Sequence, residues 1–188
     1  MFGETKKQAI IVYRKKEEKH AHLLASLISA YTDYKVAEWE EKHWDANKAT
    51  LPSSQKIIFF GDSDTAHKHT LGISWRFNEH FMKYGWLGDK CIVDVDVLPA
   101  GMEESFLEHY RNNYKKFENI ANEYKESDLQ KRPAAVAETS AFILFGLPAV
   151  AVSVVGKRIF GNRKLVDYQY ELLVREFVFN GLSQFMED

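Results

Sequence analysis

The segment spanning residues 56–81 constrains the fold of this chain more than any other. An apolar run at 57–60, rich in β-branched and aromatic residues, stops at Gly61, where the polar loop Gly-Asp-Ser-Asp begins. Such a run predicts a buried strand. Open α/β sheets build their ligand sites at the carboxyl ends of strands of this kind. The loop is therefore the first place where we expect a functional site.

Further segments of the same two types alternate along the chain. Apolar runs predict strands at 8–13, 34–39, 56–60 and 91–97, and three- and four-residue apolar spacing predicts helices at 22–31, 73–84, 102–125 and 164–186. Residues 40–55 look mostly like a connection with room for a short helix. The alternation predicts a three-layer α/β fold: a mainly parallel sheet of four or five strands with helices on both faces, followed by C-terminal helices.

The polar segment 127–133 predicts a division between an α/β domain at 1–126 and a segment at 134–188 that packs on the same domain. Residues 139–156 carry no charge, whereas a membrane helix needs about 20 apolar residues. Gly146 and Pro148 interrupt this stretch, which favours a buried strand at 141–145 and a helix starting at Pro148. Membrane association remains an alternative.

Charge and cysteine content narrow the functional classes. The net charge of −2 gives no global attraction to nucleic acid, and we expect no nucleic-acid partner. Cys91 is the only cysteine, so no intramolecular disulfide can form. The N-terminal sequence MFGETKKQ lacks the apolar core of a signal peptide. These features predict a cytoplasmic protein.

Ser74, Trp75 and Glu79 form the first group that could carry chemistry. Residues four apart share a face of a helix, so a helix at 73–84 would place Trp75 beside Glu79. An indole against a carboxyl group raises its pKa and suits it to act as an acid or base. In the alternative interpretation, Trp75 belongs to the core and Glu79 faces solvent.

This order of strand, polar loop, Ser-Trp, a Glu four residues after the Trp and a further strand resembles the third-strand region of TIR domains, which have a flavodoxin-like fold. The opening IIVYRKKEEKHAHLLASLI resembles their first strand and helix. The resemblance covers about residues 8–126 and lacks the Arg-Asp-x-x-Pro-Gly loop of that family. It implies that Glu79 is the catalytic carboxylate of a nucleotide-binding enzyme that hydrolyses NAD. The nucleotide would then lie against Tyr13, Arg14, Gly61, Asp62, Ser74 and Trp75.

Two further functions stay open. The same fold often self-associates, so the chain could be a non-catalytic oligomerisation module, and we expect a homo-oligomer. The run IIFFGDSDT is also similar to the first block of GDS-type serine esterases, which would make Ser63 a nucleophile activated by a histidine. A plain tight turn explains Gly-Asp-Ser equally well.

The remaining polar clusters have weaker signals. The pairs His20/His22 and His67/His69 are predicted to be solvated, and no metal site is expected. Asp94 and Asp96 share one face of a strand end, where they could bind a metal or a ribose hydroxyl or could face water. The basic run 14–16 follows the first strand and could receive a phosphate.

Overall fold

A computed structural model describes residues 7–50, 55–79, 81–96, 101–128 and 162–188. The strands are β1 (Gln8–Tyr13), β2 (Lys35–Glu40), β3 (Lys56–Phe60), β4 (Ser74–Glu79), β5 (Met82–Leu87) and β6 (Lys90–Val95). The helices are α1 (Glu18–Tyr31), α2 (Glu41–Asn47), α3 (Asp64–His69), α4 (Glu103–Asp128), α5 (Asn162–Glu176) and α6 (Leu182–Glu187). Short 3₁₀ turns lie at Lys15–Glu17 and Lys48–Thr50, and a π-helical segment, Phe177–Gly181, joins α5 to α6.

The six strands form one mixed sheet in the order β2-β1-β3-β6-β5-β4. β2, β1, β3 and β6 are parallel to one another, whereas β5 runs antiparallel to both β6 and β4. The predicted α/β class and the four predicted strands are confirmed. The predicted sheet of four or five mainly parallel strands is corrected to a six-stranded mixed sheet, because an antiparallel hairpin extends it.

The predicted helix at 73–84 is wrong, and the hairpin of β4 and β5 stands there instead. Apolar residues four apart, such as Ile73, Phe77 and Phe81, fit one face of a helix, but Ile73 precedes β4, Phe77 lies within it and Phe81 lies in the turn before β5. The segment is rich in aromatic residues that favour strands. Pairing with β6 then favours the hairpin over the helix. With β4 on one side and β6 on the other, the backbone groups of β5 are hydrogen-bonded on both sides.

The central strands are buried on both faces. On one face, Trp44 of α2 and Ala66 of α3 pack with Ile10, Val12, Phe59 and Ile92. On the other face, Phe177 and Phe185 contact the rings of Tyr84 and Trp86. Apolar side chains on both faces explain why β1 and β3 read as continuous apolar runs in the sequence.

The chain divides into two compact units, one comprising residues 1–97 with 173–188 and the other residues 98–172. In the first unit, the C-terminal residues pack on the sheet: Trp86 Nε1 donates to Asp188 Oδ2 at 2.7 Å and Tyr34 donates to the Met186 carbonyl at 3.3 Å. In the second unit, the Tyr110 ring of α4 lies 5.2 Å from that of Tyr168 in α5.

The predicted helices at 22–31, 102–125 and 164–186 correspond to α1, α4 and the α5–α6 region. Residues 40–55, predicted to be mostly connection, contain α2 and a 3₁₀ turn. The uncharged stretch 139–156 lies outside the described residues, as does most of the predicted break at 127–133. Among the helices that the structure describes, none combines the length and apolar character that a membrane crossing requires.

Candidate functional site

The strand order reverses between β1 and β3. From β1 the chain passes through α1 to β2 on one side, and from β2 it passes through α2 to β3 on the other side of β1. In open α/β sheets, connections that depart in opposite directions leave a crevice outside the carboxyl ends of the two strands, and ligands bind there. We name this place the carboxyl-edge crevice; it is lined by Val12, Tyr13, Arg14, Glu41, Phe59, Phe60, Gly61, Ser63 and Ala66.

The end of β1 supplies an aromatic hydroxyl and a guanidinium group. Tyr13 is buried, and its burial, followed by the negative charges of Glu18 and Glu38, raises the pKa of its hydroxyl. Arg14 is 30% exposed and its Nη2 donates to Glu17 Oε1 at 2.6 Å. The Glu17 side chain is fully buried. The cation at the mouth of the crevice thus rests on a buried carboxylate.

The loop after β3 brings Gly61, Asp62 and Ser63 to the same edge of the sheet. Ser63 Oγ donates to Glu41 Oε1 at 2.6 Å and accepts from the Ala66 amide at 3.0 Å, which caps α3. Asp62 is hydrogen-bonded to His67 Nε2. Within the described part of the chain, no imidazole is hydrogen-bonded to Ser63. His67, the histidine nearest to Ser63 in the sequence, is paired with Asp62 instead.

The crevice is closed as it stands, because the side chains around it leave no space for a water molecule. Its two charged walls are the half-buried side chains of Arg14 and Glu41. Both are long and end in charged groups at the protein surface. Ligand binding would therefore require side chains of this lining to move.

A second polar group lies at the carboxyl end of β6. Asp94 is 1% exposed, its carboxylate lies 3.4 Å from the Lys83 ammonium, and Lys83 also contacts Asp96 at 3.1 Å. Burial raises the pKa of Asp94; the Lys83 charge opposes this shift and the negative charge of Asp62 adds to it. The alternative that Asp94 faces water is therefore wrong, since Lys83 bridges a buried and an exposed carboxylate. Among the described residues, no group of three potential metal ligands is formed.

The structure separates the predicted pair Trp75 and Glu79. The register of β4 on β5 shifts between Trp75 and Phe77, so Trp75 pairs with Gly85 whereas Glu79 pairs with Met82. Successive residues of β5 point to opposite faces, and Gly85 and Met82 are three residues apart. Trp75 and Glu79 therefore lie on opposite faces of the sheet. The Trp75 ring instead lies under the Lys83 ammonium, which is 5.1 Å from its centroid.

Ser74 and Glu79 also lie far from the crevice. Both are exposed residues of β4, which is three strands away from β3, or about 14 Å at the usual strand spacing. Glu79 ends β4 at the same edge of the sheet as Gly61, whereas Ser74 begins β4 at the opposite edge. Of the predicted site residues, the structure brings Tyr13, Arg14, Gly61 and Ser63 together, with Asp62 beside them, and leaves Ser74, Trp75 and Glu79 apart.

Two acidic residues at this site were not singled out from the sequence: Glu41, which lines the crevice, and Glu17, which pairs with Arg14. Glu41 lies in the segment predicted to be mostly connection. It directly follows β2, and this position at the end of a strand could have indicated a place in the site. Glu17 lies in the charged run RKKEEK, in which every residue looked solvated. Likewise, His20 is 4% exposed rather than solvated.

Comparisons with models of known protein families, with curated proteins and with solved structures find no match for this chain.

Proposed function

We propose that this chain binds a nucleotide in the carboxyl-edge crevice, and that NAD is the first nucleotide to test. The observation that carries this proposal is that Arg14 and Glu41 both line the point where the strand order reverses. A guanidinium group and a carboxylate at that point match the two polar parts of a nucleotide, its phosphates and its ribose hydroxyls.

Arg14 is the group for the phosphates. Its planar guanidinium suits bidentate phosphate contacts, and it is partly exposed at the mouth of the crevice. Lys15 and Lys16 follow it and pair with Glu18 at 2.7 Å and with Glu17 at 3.4 Å, so the three cations of this rim outnumber the two carboxylates by one. The Glu17 carboxylate keeps the guanidinium in position from below.

Glu41 is the group for the ribose. It follows the second strand of the sheet, where dinucleotide-binding folds place the acidic residue that accepts hydrogen bonds from ribose hydroxyls. In the closed crevice its Oε1 accepts a hydrogen bond from Ser63 Oγ. A ribose hydroxyl would replace that donor without leaving the carboxylate unpaired.

Hydrolysis of NAD at its N-glycosidic bond is the reaction that the resemblance to TIR domains implies. Water would form a bond to C1′ of the ribose, nicotinamide would leave with the electron pair of the broken C–N bond, and one proton would be released. Glu79 was predicted to be the carboxylate of this reaction. Because Glu79 lies far from the crevice, we assign this role to Glu41. The Glu41 carboxylate can hold the ribose and stabilise the positive charge that develops at C1′.

The test combines binding and turnover. Titration calorimetry with NAD, ADP-ribose and AMP would be performed on the parent chain, on Glu41→Gln and on Arg14→Lys, and nicotinamide release would be followed by chromatography. Glu79→Gln and Arg76→Lys are the matched controls, since both change exposed β4 residues. We expect Glu41→Gln and Arg14→Lys each to raise the dissociation constant of ADP-ribose about tenfold, which is the usual effect of losing one charged hydrogen bond.

Three results would contradict the proposal. The first is that none of the three nucleotides binds at millimolar concentration. The second is that the crevice variants bind as tightly as the parent chain. The third is that Glu79→Gln removes binding, which would move the site to β4. Absence of turnover together with a mass that rises with protein concentration would favour the oligomerisation module.

A further inference from the structure

A cleft among the described residues lies at the opposite edge of the sheet. It has a volume of about 540 Å³ and is bounded by the amino ends of β3 and β6, the end of β5, and helices α2 and α3. We name it the amino-edge cleft. Its lining residues are Trp44, Lys48, Gln55, Ile57, His69, Thr70, Leu71, Ile73, Leu87, Asp89 and Lys90. Clefts of this size hold small organic molecules.

One wall of the amino-edge cleft is aromatic. The His69 ring stacks on Phe59 with centroids 5.6 Å apart and an angle of 2°, and Trp44 meets His69 edge-on at 5.6 Å. At the mouth, Leu71 and Leu87 are 78% and 58% exposed. A flat apolar ligand would cover these two leucines and contact the aromatic wall.

The charges at the cleft favour a negative ligand. Asp89 is paired with Lys56 at 3.2 Å and Lys48 with Asp45 at 2.9 Å, whereas Lys90 forms no ion pair with any residue that the structure describes. The pKa of His69 is lowered first by burial and then by the positive charges of Lys48, Lys90 and Lys68, whereas the negative charge of Asp45 opposes this shift. The imidazole therefore adds no charge of its own at neutral pH.

Three of the lining side chains also carry a buried polar atom that has no hydrogen-bond partner in the described part of the chain: Trp44 Nε1, Gln55 Oε1 and His69 Nε2. Buried polar atoms of this kind are uncommon in folded proteins and call for an explanation. A cleft that accepts a polar ligand group provides one, because a small rotation of Trp44 or His69 would bring its nitrogen to that group.

We infer that the amino-edge cleft binds an aromatic carboxylate, with the ring against His69 and Trp44 and the carboxylate on Lys90. The site is independent of the carboxyl-edge crevice and of the nucleotide proposed there. Lys90 selects for the charge of the ligand, and Leu71 and Leu87 contribute contact area without regard to charge.

A matched set of three probes tests this inference: 2-naphthoate, the neutral 2-naphthamide and the cationic 2-naphthylmethylammonium. Their dissociation constants would be measured by ligand-observed NMR with the parent chain and with Lys90→Gln, Leu71→Gln and Lys35→Gln. Lys35 is an exposed residue at the start of β2 that does not line the cleft, and it serves as the control.

We expect the parent chain to bind naphthoate at least fivefold more tightly than naphthamide. Lys90→Gln should abolish that preference and leave the affinity for naphthamide unchanged. Leu71→Gln should lower the affinities for naphthoate and naphthamide by a similar factor. Three outcomes would overturn the inference. The parent chain could bind all three probes equally well, or it could fail to bind naphthoate at millimolar concentration. The third outcome is that Lys35→Gln loses as much affinity for naphthoate as Lys90→Gln does. Glu41→Gln should leave naphthoate binding unchanged, which separates this site from the proposed nucleotide site.

Discussion

The Glu17 carboxylate packs directly against Gly61: a Cβ atom added to Gly61 would lie 2.9 Å from Glu17 Oε1. Gly61 also has a φ of +94°, a conformation that residues with side chains rarely adopt. This contact brings the start of the β3 loop against the buried partner of Arg14. The shape of the carboxyl-edge crevice therefore depends on the absence of a side chain at position 61.

Gly61→Ala should lower the free energy of unfolding by about 1–3 kcal/mol, because the new methyl group meets Glu17 and the backbone is strained. Gly88→Ala is the matched control, since Gly88 has a φ of +57° but no atom within 4 Å of an added Cβ. Urea denaturation of both variants would measure the difference. Equal losses in the two variants would mean that the Glu17 contact contributes nothing.

Asp94→Asn should raise stability at neutral pH by about 1 kcal/mol, because burial disfavours the charged form of Asp94 and Lys83 keeps Asp96 as its partner. The pKa of Asp94 is raised by burial, so folding favours its protonated form. Its cost to stability is therefore absent below the ordinary pKa of an aspartate and appears as the pH rises through the raised folded value. The advantage of the variant should disappear near pH 3, and urea denaturation at pH 3 and pH 7 tests this. An advantage that does not change with pH would rule out the proposed cause.

His69 should make the protein less stable in mild acid. Burial and the neighbouring lysines lower its pKa, so the unfolded chain binds a proton more readily than the folded protein does. The contribution of neutral His69 to stability is present above its ordinary pKa and is lost as the pH falls through the lowered folded value. His69→Phe, which can keep the stack on Phe59, should flatten the stability profile between pH 7 and pH 5. Thermal unfolding in that range gives the comparison, and parallel profiles would refute the assignment.

Phe185→Ala should destabilise the sheet unit by about 3–5 kcal/mol, as is usual when a large buried side chain is truncated. Phe185 is fully buried against Trp86, and the Lys56 ammonium lies 5.0 Å from its ring centroid. Gln184→Ala, in the same helix but exposed, should change stability by less than about 0.5 kcal/mol. Chemical denaturation followed by Trp fluorescence reports both. A small effect of Phe185→Ala would mean that α6 is not required for the sheet.

Strands β1, β3 and β6 could be predicted because burial on both faces leaves continuous apolar runs, as in 57–60. The hairpin could not, since four-residue spacing of Ile73, Phe77 and Phe81 fits a helix and a strand equally, and pairing with β6 is a long-range interaction. The bulge between Trp75 and Phe77 is invisible in the sequence for the same reason. It is this bulge that turns Trp75 and Glu79 to opposite faces.

Half of the candidate site followed from the sequence. Tyr13, Arg14, Gly61 and Ser63 were found because they come directly after apolar strands, and parallel strand ends share an edge. Glu41 was missed because its segment is polar and irregular in pattern. The burial of Glu17 was missed because it lies in a run of charged residues, and the sequence does not indicate which of these side chains faces inward.

The bulged strand β4 also bears on how this protein avoids aggregation. β4 and β2 are the two edge strands of the sheet, and an open edge can recruit another chain through its free backbone groups. β4 carries the exposed residues Arg76 and Glu79 around an irregular backbone, and β2 carries Lys35 and Glu38. Charges on both edge strands and the irregular backbone of β4 oppose the pairing of these edges with strands of other molecules.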